Sequence, residues 1–166
     1  MEIAGHIIGV IGIGLFFLTY QIFDKKKLLV VLTLATITMC LQYLFLKAYS
    51  GFAMNVVCLI RNFFYYGRKK DTTFGKIMPI IFAVLIGFMS LLSWDGWYSI
   101  FILSGLVINT LCVGYCDSQQ LRKSILITCP MVIVYNVFTM SIAAIVSEVI
   151  GMISGVIGIV RYNRAK

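Results

Sequence analysis

Apolar runs long enough to cross a bilayer recur along the whole chain, separated by short polar breaks. They occupy residues 3–23, 28–46, 52–66, 77–92 and 97–115, followed by a stretch from Ile125 to Val160 whose only charge is Glu148. A membrane-spanning helix needs about 17–25 residues. As one helix, residues 125–160 would extend about 54 Å at ~1.5 Å per residue, against a hydrocarbon core of ~30 Å. The stretch therefore predicts two spans, 125–140 and 143–160, turning at Thr139-Met140-Ser141. The expected fold is an all-α polytopic membrane protein with seven transmembrane helices.

Composition points the same way. Of 166 residues, 61% are hydrophobic and 12% charged, and mean hydropathy is +1.00, where soluble domains carry about 25% charged residues. A soluble enzyme, a secreted disulfide scaffold and a disordered chain are all excluded. The net charge of +8 sits between apolar runs, which suits anionic lipid headgroups rather than nucleic acid. With seven spans, one side collects Lys25, Lys26, Lys27, Arg68, Lys69, Lys70, Lys76, Arg122, Lys123, Arg161, Arg164 and Lys166. The other side holds Lys47 with Glu2 and Asp95. This asymmetry predicts an N-terminus outside and a C-terminus in the cytoplasm. Trp94, Trp97 and Tyr98 would form an outer interfacial belt, and Tyr65 and Tyr66 an inner one. The opening MEIAGHIIGV lacks a basic n-region, so the first helix is expected to stay.

Little catalytic chemistry is visible. Five cysteines lie in or beside apolar segments without a CxxC pair, and His6 is the sole histidine. Free thiols are expected, with no metal and no cofactor. HExxH, paired intramembrane aspartates, a nucleophile elbow and a glycine-rich phosphate loop are all missing from the sequence. The chain is not expected to be an enzyme.

Seven spans invite a search for a 3+1+3 duplication. A shift of 92 residues lays Tyr43 on Tyr135, Asn55 on Ser147, Asn62 on Ser154 and Lys69 on Arg161. In both halves a basic loop follows the first span and basic residues close the third. The predicted organisation is a three-helix bundle over 1–70, a linker helix over 71–96 (span 77–92, with Pro79 in its first turn) and a second bundle over 97–166. Three spans reverse the chain direction, so a single linking span makes the halves parallel repeats.

Intramembrane polar groups mark helix contacts or pathways. Asn55, Cys58 and Asn62 fall at i, i+3 and i+7 of the third span, hence on one face. Ser147, Gly151, Ser154 and Gly158 form a comparable stripe on the last span. Arg61 and Glu148 are the charges deepest within spans, at depths differing by about 6 Å at ~1.5 Å per residue, close enough to bridge if the third and seventh spans face each other. They read either as a solute clamp (Arg61) and a proton-coupling group (Glu148), or as a structural ion pair. Asn136 and Gln42 are further inward-facing candidates. Gly5-xxx-Gly9 and Gly151-xxx-Gly155 match a close-packing pattern that serves either a homodimer or packing within each bundle.

Several of these residues carry a resemblance. The third-span segment ending Ile60-Arg61, together with Asn136, Ser141-Ile142, Glu148 and Arg161, stands at the spacing of the YgjV-type bacterial inner-membrane proteins, which the chain resembles over nearly its whole length. The resemblance implies a multi-pass protein of the bacterial inner (cytoplasmic) membrane. It also implies a place in the SWEET/PQ-loop-like superfamily, with its 3+1+3 layout. The chain departs from that pattern: no Pro-Gln pair is present, Thr19-Tyr20-Gln21 stands near the equivalent place, and among the gate prolines only Pro130 has a counterpart. By this resemblance Asn62 and Ser154 lie at substrate level.

The function expected from these features is carriage of a small polar metabolite, as a facilitator or proton-coupled carrier with a pocket between the two bundles. The substrate pathway would comprise Asn55, Arg61, Asn62, Asn136, Ser147, Glu148 and Ser154. The alternatives are a ligand-binding membrane receptor on the same scaffold and a structural subunit whose polar residues only join helices. The expected partners are the lipid bilayer and the solute.

Overall fold

The computed structural model describes residues 2–45, 49–67, 72–94 and 96–164, without the side chains of 2–4, 6, 49–51 and 143. The topology signals Lys47, Arg68, Lys69, Lys70, Asp95 and Lys166, and the side chain of Glu2, lie outside the described residues. The described chain is all helical. Its seven helices are α1 (Glu2–Thr19), α2 (Lys25–Phe45), α3 (Tyr49–Gly67), α4 (Thr73–Leu92), α5 (Ser99–Tyr115), α6 (Ser118–Phe138) and α7 (Ile142–Arg164). Four of them, α2, α4, α6 and α7, are long and apolar enough to cross a membrane, while α1 and α5 contain shorter apolar helices.

Helix starts depart from the expected spans for local reasons. Asp24 Oδ1 accepts the Lys27 backbone N–H at 2.8 Å. This cap starts α2 at Lys25 and takes the three lysines into its first turn, where cations oppose the helix dipole by a few tenths of a kcal/mol each (about 0.3–1). The first helix correspondingly stops at Thr19, and residues 20–24 form the turn. At α4, Thr72 Oγ1 accepts the Gly75 N–H at 3.0 Å. The helix therefore begins four residues before the expected span, and Pro79, expected in the first turn, sits in the second. Its ring stands over Gly75, four residues back, and both are buried. The loop expected over 117–124 shrinks in the same way: Gln120 Oε1 accepts the Asp117 N–H at 3.1 Å, one arm of a capping box that opens α6 at Ser118.

The turn between α6 and α7 falls where length alone places it. Ser141 N–H donates to Asn136 O at 2.9 Å and Met140 N–H to Val137 O at 3.3 Å, the two bonds of a Schellman motif. That motif needs a left-handed residue at its centre, and Met140 takes it with φ 55°.

The chain divides into two compact units, 1–68 and 69–166. In the first, α2 packs against both α1 and α3, burying Leu28, Leu29, Leu32, Ala35, Thr36 and Cys40 at helical spacing. Gly9 and Gly12 let α1 approach: an added Cβ would stand 2.4 Å from Gln42 Nε2 and 2.7 Å from Thr38 Oγ1. In the second unit α4 packs on α5, α5 on α6 and α6 on α7. Gly155 faces Ile125 and the Arg122 carbonyl, and Gly151 faces Cys129 Sγ. Gly9, Gly151 and Gly155 thus serve packing inside a unit. The outward faces carry exposed Phe63, Val84 and Ile142, as a surface solvated by acyl chains requires.

Of the expected aromatic belts, Trp94, Trp97 and Tyr66 are exposed, whereas Tyr65 is buried. Tyr98 turns onto α6, its ring stacked on Phe138 with centroids 5.3 Å apart.

Candidate functional site

In the first unit the polar residues form a chain. Helical register puts Asn62 on the face that α3 turns toward α2, where it is fully buried, and Arg61 beside it is 4% exposed. Arg61 Nε and Nη2 both donate to Asn62 Oδ1, at 3.2 and 3.0 Å. Asn62 Nδ2 in turn donates to Thr36 Oγ1 on α2 at 3.2 Å. The Thr36 hydroxyl in turn donates to Leu32 O at 2.7 Å. The guanidinium is therefore oriented through an amide and a hydroxyl to the backbone of the neighbouring helix. Asn55 and Cys58 continue the same face half-buried, as their spacing predicts.

In the second unit the stripe on α7 is likewise turned inward, with Gly151, Ser154 and Gly158 buried and Ser147 half-buried. Glu148 is half-buried and stands against the Cys129 thiol of α6. Cys129 and Thr128 are both buried. Asn136 is buried at the end of α6, where its carbonyl accepts the Ser141 N–H that closes the turn. Arg61 thus belongs to the first unit and Glu148 to the second, and each meets a polar partner within its own unit.

Four contributors give no sign of their role in the sequence. Thr36 and Thr128 look like ordinary members of apolar runs, although the 92-residue shift that aligns Asn62 with Ser154 also aligns these two threonines. Cys129 reads as a small apolar residue until α7 brings Glu148 against it. Arg122 reads as a loop cation, yet it is fully buried.

An apolar groove of 510 Å³ runs along α6 and α7, lined by Ile133, Val149, Met152, Ile153, Val156 and Ile157. It shares no residue with the polar stripe. All five cysteines are free, and no group of three potential metal ligands occurs among the described residues.

The family model Imp-YgjV, bacterial inner membrane protein, matches residues 3–166. Searches of curated proteins and of solved structures give no match.

Proposed function

Because the chain belongs to the Imp-YgjV family of bacterial inner membrane proteins, we propose that it carries a small polar metabolite across that membrane. The observation that supports this most is the pairing of buried polar positions at equivalent places in the two halves. Thr36 and Asn62 are buried on packed helices of the first unit, and Thr128 and Ser154, 92 residues on, are buried on packed helices of the second. Polar side chains at bilayer depth are costly unless they serve a contact or a pathway. Their recurrence favours a 3+1+3 chain of SWEET/PQ-loop type, with α4 as the linking span, the N-terminus outside and the C-terminus in the cytoplasm.

Arg61 is the residue for a carboxylate or phosphate group on the solute. Its planar fork suits bidentate contact, and Asn62 and Thr36 hold it in place. Glu148 is the group through which a proton gradient would be coupled, with Ser147 and Ser154 along the second polar stripe and Asn136 on α6. Asn55 extends the first.

Uptake into proteoliposomes of a radiolabelled panel of amino acids, small carboxylates and sugar phosphates tests this reading. Arg61→Ala is expected to lower uptake of the accepted solute at least tenfold while the protein still reconstitutes. Glu148→Gln should remove the response to an imposed pH gradient and spare exchange. Thermal stabilisation by a solute without any flux would instead establish a receptor. Neither flux nor stabilisation across the panel, with both variants indistinguishable from wild type, would leave the polar residues as helix contacts.

A further inference from the structure

We propose that the apolar groove along α6 and α7 holds one acyl chain of an anionic phospholipid, with the lipid phosphate at the basic end of the two helices. The proposal stands apart from the carrier reading, since it involves none of the pathway residues.

Both helices are long and apolar enough to cross a membrane. The tight turn after Phe138 makes them antiparallel, so the start of α6 and the end of α7 share one end. The 510 Å³ groove along them has no polar side chain in its walls, which are Ile133 of α6 and aliphatic and thioether side chains of α7. Val149, Ile153, Val156 and Ile157 stay exposed along it. These α7 residues recur at intervals of three and four, so the groove follows the helix axis. The same face continues past Ile157 to Arg164, exposed in the last turn of α7. Lys123, in the second turn of α6, is exposed at the same end.

Depth decides what fits. At ~1.5 Å per residue, Ile157 lies about 10 Å along the axis from Arg164, and Val149 about 22 Å. Half of a bilayer, headgroups included, is about 20–22 Å thick. With Arg164 among the headgroups, the groove runs through the hydrocarbon of one leaflet to the midplane, which is the course of an acyl chain. A chain of methylenes needs no hydrogen bond, and these walls offer none. Cations at the surface attract anionic lipid, and the planar fork of Arg164 suits a phosphate diester. A second copy of the protein in the same orientation would set its own Arg164 and Lys123 against this end. Like charges would then face each other, so charge complementarity favours the lipid.

Thermal unfolding of the delipidated full chain in neutral detergent tests this, titrated with phosphatidylglycerol, with phosphatidylcholine of the same chains, and with glycerol phosphate. Phosphatidylglycerol is expected to stabilise at a concentration at least tenfold lower than phosphatidylcholine, and glycerol phosphate, which has no chain, should not stabilise. Arg164→Gln and Lys123→Gln should each reduce the preference about fivefold, the usual effect of one cation at a lipid surface. Ile153→Trp fills the groove from a position 51% exposed and should weaken phosphatidylglycerol at least tenfold. Val84→Trp, equally exposed to lipid on α4, should leave it within twofold. The two headgroup variants, both at exposed positions, carry the test even where the tryptophan at 153 is not accepted. Equal potency of the two phospholipids, or a preference that survives loss of both cations, would overturn the proposal. So would equal behaviour of Ile153→Trp and Val84→Trp, or a dimer in detergent that Ile153→Trp dissociates and lipid leaves unchanged, which would assign the groove to a second copy.

Discussion

Asn62 makes the three side-chain bonds that join Arg61 to α2, and the cost of removing it falls unevenly on its neighbours. Thr36 keeps a partner, the Leu32 carbonyl, whereas Arg61 loses the acceptor for two of its N–H groups. Asn62→Ala is therefore expected to destabilise the protein by about 1–3 kcal/mol. Thr36→Val should cost less. The coupling between them in a double-mutant cycle should be only about 0.5–1 kcal/mol, the usual worth of a hydrogen bond between membrane helices. Unfolding in mixed detergent micelles measures all three. The faces of Asn62 and Ser154 were legible from i, i+3, i+7 spacing alone. Their partners were not, because a threonine in an apolar run gives no local sign of the helix it will meet. The burial of Arg122 was hidden for another reason: Asp117 and Gln120 read equally well as loop residues and as a helix start.

Helix contacts depend on where glycines lie relative to a neighbour. Gly155 faces Ile125 Cγ2, which an added Cβ would approach to 3.3 Å, whereas Gly14 has nothing within 4 Å. Gly155→Leu should destabilise by about 1–3 kcal/mol through overpacking of α6 against α7. Gly14→Ala should stabilise by about 0.5–1 kcal/mol, the helix propensity it gains. A shift of the unfolding midpoint in opposite directions checks the pair. The turn at Met140 supplies a third case. A non-glycine residue in the left-handed region costs about 1–2 kcal/mol, and Met140 is 86% exposed, so little packing is lost on replacement. Met140→Gly should raise stability by up to about 1 kcal/mol after the added freedom of the unfolded chain is set against the relief. Met140→Val should lower it. Length alone located this turn, since 36 apolar residues exceed one crossing, but the left-handed residue within it has no signal when methionine stands where glycine is usual.

For the whole molecule, hydropathy made the membrane class plain, and the family match over residues 3–166 agrees with it. The number of helices followed from runs and breaks. Their ends did not, because caps at Asp24, Thr72 and Asp117 draw polar residues into helices that hydropathy assigns to loops. The proposed duplication, linking span and polar tracks all require an odd number of crossings. Fusions of a reporter pair, active on only one side of the inner membrane, to the N-terminus and to the C-terminus measure this directly. The expected result is an N-terminus outside and a C-terminus in the cytoplasm. Finding both ends on the same side would contradict it.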